Sequence, residues 1–218
     1  MKSALRRTDL PGKKTRLMKS TKEKIMDTAE RCFAQQGIAS ASIRTIVEKA
    51  GVNLGAITYH FGSKDNLVIE IFKRRMVPMT QERLDMLRAA EAESDGKPVP
   101  ARKVIEAIVI PQYRLTRKFP QFVQFAVQMK NYPNSKFFRL INAEFEPVYK
   151  EMQRSLRAAL PPMSDVEFYL KLHFLIHLME VIPKYDVHLQ KLIPNDLDSE
   201  KFMDVLIAFV ESGISAKG

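Results

Sequence analysis

The chain has no tryptophan, a single cysteine and only eight glycines among its 218 residues. One cysteine excludes an internal disulfide. Cys32 falls on the apolar side of a helical pattern and reads as a buried, reduced thiol, as in a cytosolic protein. No apolar run approaches the roughly 18 residues that a membrane span needs, so no membrane partner is expected. The basic start, MKSALRRTDLPGKKTRLMKS, lacks the apolar centre of an export signal. Strand-type alternation is almost absent and no long period repeats, which disfavours sheets and solenoids and leaves an all-α fold. Enzyme chemistry is also missing its usual marks. There is no Gly-x-Ser-x-Gly, no glycine loop that would cradle a phosphate and no Cys–His pair at a family spacing, so neither a catalytic residue nor a cofactor is expected.

What the chain does have is positive charge, and it is unevenly placed. Of the net +10, residues 1–75 contribute +9, with 16 Lys and Arg against 7 Asp and Glu; residues 76–218 contribute +1. A basic first third is the footprint of polyanion binding, where neutralised phosphates supply affinity. Residues 1–19 carry seven basic side chains around Pro11 and Gly12 and read as a flexible arm. Such an arm either dips into a minor groove or adds nonspecific attraction.

The most informative stretch is Ser42–Asn66, SIRTIVEKAGVNLGAITYHFGSKDN. Ile43, Ile46, Val47 and Ala50 recur at i, i+3, i+4 and i+7, which predicts a short helix with one packed face and Arg44, Thr45, Glu48 and Lys49 outward. Gly51 stands where the backbone turns and favours a residue tolerant of positive φ. Asn53 caps a second helix, Leu54–Phe61, whose start favours a phosphate at its free N–H groups. Ile57 and Phe61 anchor that helix, and Ser63 caps a third. A preceding helix over Thr21–Gln36, ended by Gly37, closes a small core with Ile25, Ala29, Cys32 and Phe33.

Gly37, the Ala41–Ile46 run and the unbroken Ala50–Leu67 run, with its Tyr-His-Phe-x-Ser-Lys tail, resemble the amino-terminal domain of the TetR family of bacterial transcriptional regulators, over roughly residues 21–72. The resemblance implies a homodimer, with a helical head on double-stranded operator DNA and a helical body that binds an effector. Carried over position by position, it places Ser42, Arg44, Thr45, Asn53, Leu54, Gly55, Ala56, Thr58, Tyr59, His60 and Lys64 at the DNA. Ser42, Tyr59, His60 and Lys64 then grip phosphates, while Arg44, Thr45, Leu54, Ala56 and Thr58 reach base edges. The chain departs from the family pattern at Ala41, where Thr is frequent, and at Leu54, where Lys or Arg is. A phosphate grip is then lost, and Leu54 is suited to a thymine methyl.

The expected division is a 1–19 arm, a 20–66 DNA-binding domain and a 67–218 body. Pro78 is expected to kink or break the connecting helix before Gln81–Ala92. Further helices are expected over 101–118, 120–131, 135–159, 165–183 and 199–213, with Pro111 and Pro147 bending two of them. The segments around Arg74–Leu84, Glu106–Leu115 and Lys171–Ile176 are similar to the branch of the family that answers to fatty acids or their thioesters, which implies a small apolar effector. Tyr113, Phe122, Phe125, Met129, Phe138, Phe145, Tyr149, Met152, His173, Phe174 and His177 are the candidate lining, each of them also an ordinary core residue on its own. His173 and His177 are spaced i, i+4, with Glu180 on the same face. The first histidine lacks the glutamate that follows it in zinc hydrolases, so no metal is expected. Apolar positions on the last two helices, Leu170, Phe174, Leu178, Phe202, Val205, Leu206, Phe209 and Val210, fit either a four-helix dimer seam, as the resemblance implies, or intramolecular packing. The competing functional reading is a nonspecific or architectural DNA-binding protein whose body only dimerises.

Overall fold

The computed structural model describes residues 19–130, 135–192 and 199–216, the side chains of 130, 135–138, 180–192 and 199 excepted. Among the described residues every regular element is a helix: α1 Thr21–Gln36, α2 Ile43–Ala50, α3 Gly55–Phe61, α4 Lys64–Glu93, α5 Ala101–Lys118, α6 Pro120–Lys130, α7 Ser135–Ala159, α8 Asp165–Leu192 and α9 Ser199–Ser215. None of them is long and apolar enough to cross a membrane. The basic arm, residues 1–18, lies outside the described residues.

Local chemistry fixes where the helices begin and end. Ser20 and Glu23 form a reciprocal capping box at α1. Ser42 Oγ accepts from the Thr45 amide at 3.0 Å, and Ser63 Oγ accepts from the Asn66 amide at 3.1 Å, so α2 and α4 start on serine caps. Gly51 turns α2 into the corner with φ 66°, ψ 40°, the left-handed conformation that a side chain disfavours.

Two apolar cores hold the helices together. The first surrounds α1. Ile25, Ala29, Cys32 and Phe33 meet Ile46 and Val47 of α2, Ile57 and Phe61 of α3, and Leu67, Val68 and Ile71 of α4, with Phe122, Phe125 and Met129 of α6 closing it. The second surrounds α5, where Val104, Ile105, Ala107 and Val109 pack against Leu87, Met152, Leu156, Leu172, Leu175, Leu206 and Val210. Apolar packing therefore runs across the boundary expected at residue 66, because α6 lies along α1. Phe33 stacks on Phe125 with ring centroids 6.0 Å apart, and Phe72 contacts both Phe122 at 5.9 Å and Phe145 at 5.8 Å.

Two expectations about helix continuity are corrected. α4 is a single 30-residue helix with Pro78 inside it, so the proline does not end the helix. The single Thr80 hydroxyl proton is shared between the carbonyls of Met76 at 3.0 Å and Val77 at 2.9 Å, in the turn around Pro78. α8 likewise continues past residue 183, to Leu192.

α4 is tied to α1 by buried charge. Arg74 donates to Asp27 at 2.7 Å and to Glu30 at 2.6 Å, and Arg75 donates to Glu30 at 3.0 Å while lying 3.7 Å over the Phe119 ring. Glu30 is itself buried and takes both guanidinium groups, which satisfies a charge that would otherwise be costly there. Burial pushes the Asp27 carboxyl up, but hydrogen bonds from Lys19 and Arg74 outweigh it and leave the pKa below its ordinary value.

Candidate nucleic-acid interface

α2, the Gly51 corner and α3 form a helix-turn-helix whose inner and outer faces are cleanly separated. Ile57 and Phe61 are buried, whereas Leu54 is 55% exposed and Tyr59 85% exposed. Gly55 and Thr58 are exposed as well, and Ala56 and His60 are half-buried. An exposed tyrosine beside an exposed leucine on a seven-residue helix leaves apolar and hydrogen-bonding groups available to a partner. The His60 ring meets Tyr59 edge-on with centroids 4.9 Å apart, which orients the tyrosine.

The other expected DNA residues border this face. Arg44 is exposed on α2, and Thr45 is half-buried with its hydroxyl 2.8 Å from Ser42 Oγ. Asn53 caps α3 through Oδ1, which accepts from the Ala56 amide at 2.9 Å. The Ala56 amide is taken by Asn53 and the Ile57 amide by the Leu54 carbonyl at 3.2 Å, so two of the N–H groups at the start of α3 have partners within the chain. Lys64 is half-buried; its Nζ donates to the Ala39 carbonyl at 3.2 Å and lies 5.9 Å from the Phe33 ring centroid. Burial lowers its pKa, Asp65 opposing the shift in part. Ala41 is wholly buried.

The expected effector residues are not brought together. Phe122, Phe125, Met129 and Phe145 belong to the first core, whereas Met152 belongs to the second and Tyr113 packs against it, stacked on Phe202 at 5.5 Å. Tyr149, His173, Phe174 and His177 are exposed. The Phe138 side chain lies outside the described residues. The sequence pattern marked all of these as apolar or aromatic, but helical periodicity cannot say which of two cores a residue enters. His173 and His177 do meet, their rings tilted by 45° with centroids 4.0 Å apart, and His177 Nδ1 lies 3.0 Å from the His173 carbonyl. No group of three or more metal-ligating side chains occurs among the described residues.

Sequence reasoning also passed over Arg83, a buried cation on α4. The available signal was its position: an arginine in register with Met76, Met79, Thr80, Leu87 and Ala90, all of them buried.

Comparison with known proteins decides what this arrangement is. The profile described as bacterial regulatory proteins, tetR family, matches residues 25–71, and the one described as tetracyclin repressor-like, C-terminal domain, matches residues 106–213. The chain belongs to the TetR family. Its head is 45% identical over 53 residues to the HTH-type transcriptional regulator AcrR of Shigella flexneri, covering 24% of this chain and 25% of that protein. It is 36% identical over 80 residues to TtgR of Pseudomonas putida, covering 36% of each chain. The chain thus spans well under half the length of these relatives. Over the whole fold, the crystal structure of a TetR family regulator from Marinobacter aquaeolei superposes with a TM-score of 0.65 at 12% identity, covering 90% of this chain and 96% of that one. A Clostridium perfringens protein proposed to regulate fatty acid metabolism gives 0.65 at 16% identity, covering 89% and 100%. These identities speak for the fold alone. The TetR family and the matched relatives are transcriptional regulators, not enzymes.

Proposed function

We propose that this TetR-family chain is a cytoplasmic, homodimeric repressor that places α3 in the major groove of an operator and leaves it when the body takes up a small effector with an apolar part. The observation that carries the reading is the outward face of α3, with Tyr59 and Leu54 exposed above buried Ile57 and Phe61, in a head that follows a strongly basic arm; residues 1–75 together carry +9 of the chain's net +10, most of it in residues 1–19. Ser42, Tyr59, His60 and Lys64 border that face as phosphate contacts, and Arg44, Thr45, Leu54, Ala56 and Thr58 supply the base-edge contacts.

Dimerisation is supported by apolar side chains left outside both cores. Tyr169, Leu170, Phe174 and Ile176 of α8 and Val205 and Phe209 of α9 are exposed, whereas their neighbours Phe168, Leu172, Leu206 and Val210 are buried. A two-fold pairing of this face buries them and sets the spacing of two α3 helices. The effector works only by preferring the body conformation in which that spacing departs from the roughly 35 Å of successive major grooves.

The test is competition of DNA from the region upstream of the gene against random duplex. The expected preference is about 10³-fold or more; equal competition would assign the chain to nonspecific binding instead. Phe174→Asp should shift the protein to monomer in sedimentation, and an unchanged dimer would move the seam elsewhere.

A further inference from the structure

The exposed apolar face of α8 carries two imidazoles on its centre line. At 3.6 residues per turn, Leu170, His173 and His177 fall within about 60° of one another around the helix, with Tyr169 and Ile176 on one flank and Phe174 on the other. All six are exposed. The histidines therefore stand in the middle of the surface that a two-fold pairing of α8 and α9 covers, not at its rim.

The pair is already arranged as metal ligands are. Spacing of i and i+4 puts both rings over one turn, and their centroids lie 4.0 Å apart. His177 Nδ1 lies 3.0 Å from the His173 carbonyl, so a proton on Nδ1 donates to that oxygen and leaves Nε2 with its lone pair outward. A backbone acceptor on one ring nitrogen is what fixes the tautomer and orientation of a metal-bound histidine. Among the described residues no group takes Nε2 of His177 or either ring nitrogen of His173.

One chain supplies too few ligands. No group of three or more metal-ligating side chains occurs among the described residues, whereas a closed zinc site takes four. A two-fold seam is self-complementary and brings the same patch from both subunits, so the centre line of one α8 meets that of the other and two imidazoles meet two. Covered without partners, those ring nitrogens would weaken the dimer; a cation between them converts that cost into bonds. We infer that His173 and His177 of one protomer, with the same two residues of a second copy, hold a single divalent transition-metal ion of the zinc type across the dimer seam. Imidazole suits zinc, copper and nickel, and a closed tetrahedral set selects zinc. The hydrolase pattern that the sequence lacks belongs to an open site within one chain and does not bear on a closed site shared by two. Because only the dimer presents four ligands, the ion tightens pairing by mass action. The inference rests on the homodimer reading above and adds a metal to its seam.

The experiment uses full-length protein freed of metal with a chelator, zinc chloride followed by calorimetry, cobalt chloride followed by visible absorption, and sedimentation with zinc or with chelator. The expected results are one zinc per two chains, the intense visible bands of tetrahedral cobalt, and a dimer that dissociates less readily with zinc than with chelator. His173→Ala and His177→Ala should each weaken zinc binding by about 10-fold or more, since even a group that only orients a metal-bound histidine is worth roughly 10–100-fold. Both side chains are exposed, so the variants should fold; if either does not, the stoichiometry and the cobalt spectrum of the natural protein still decide. A dimer that binds no zinc, or binds it equally well in both histidine variants, overturns the inference and leaves the homodimer reading standing. One zinc per chain, bound equally by Phe174→Asp monomers, overturns the shared site. A protein that is monomeric with and without zinc overturns the homodimer reading and this inference with it.

Discussion

The two halves of α4 handle buried arginine in opposite ways. In the first half Arg74 and Arg75 meet Asp27 and Glu30 of α1, so the head's connection to the connector is closed in charge as well as in packing. A little over two turns further on, Arg83 is more deeply buried and donates to a backbone carbonyl and a glutamine. The charges joining α1 to α4 are matched within the chain and should move as one body with α3, whereas Arg83 carries a charge that the described chain does not match. The Phe33–Phe125–Phe122–Phe72 contacts attach α6 to the same head.

The largest effect expected from this contrast is at Glu30. Glu30→Ala takes from the partly buried Arg75 its carboxylate and leaves Arg74 only Asp27, and should cost about 3 kcal/mol in denaturant unfolding; a loss below about 1 kcal/mol would show that the clamp does not persist in solution. Gly51→Ala should come next, at about 1–2 kcal/mol, because φ of 66° is strained for alanine even though the space beside Gly51 is open. Arg83→Met should be milder, within roughly 1.5 kcal/mol of the natural protein, since removing an unmatched charge offsets the hydrogen bonds lost to Ile108. A cost as large as that of Glu30→Ala would make Arg83 a structural charge and erase the contrast.

Acid should reveal the clamp by another route. Asp27 has a folded pKa below its ordinary 3.8, so its contribution to stability is complete above that pH and disappears as pH falls through the lower folded value. Unfolding midpoints of the natural protein and Asp27→Asn should therefore converge in strong acid and diverge above about pH 4. The smallest effect belongs to Lys64→Ala. Stability should change little, but the salt dependence of operator binding should fall by about 1 in slope. An unchanged slope would leave Lys64 only its contact with the Ala39 carbonyl.

The head was legible because its signals are local. Gly37, Gly51 and Asn53 are read from the chemistry of caps and turns, and Ile46, Val47, Ile57 and Phe61 from spacing; all stand where that reading puts them. The body was legible as helices but not as a site. Phe122, Phe125 and Met129 look like lining residues in sequence and instead close the core around α1, a contact between segments about 90 residues apart that periodicity does not encode. The break allowed for at Pro78 is absent for a related reason, since α4 contributes side chains to both cores and packing holds it across the proline. Arg83 was legible only as an arginine in register with buried positions of α4; its acceptors, Ile108 and Gln112, lie on another helix.

Hydroxyl-radical footprinting on DNA from the region upstream of the gene tests the central claim most directly. Two outward α3 helices on one dimer predict two protected patches on one face of the duplex, separated by one helical turn of about 10–10.5 base pairs or a multiple of it, with both patches lost together in Tyr59→Ala. Uniform protection along the fragment, or an unaltered footprint from Tyr59→Ala, would contradict it.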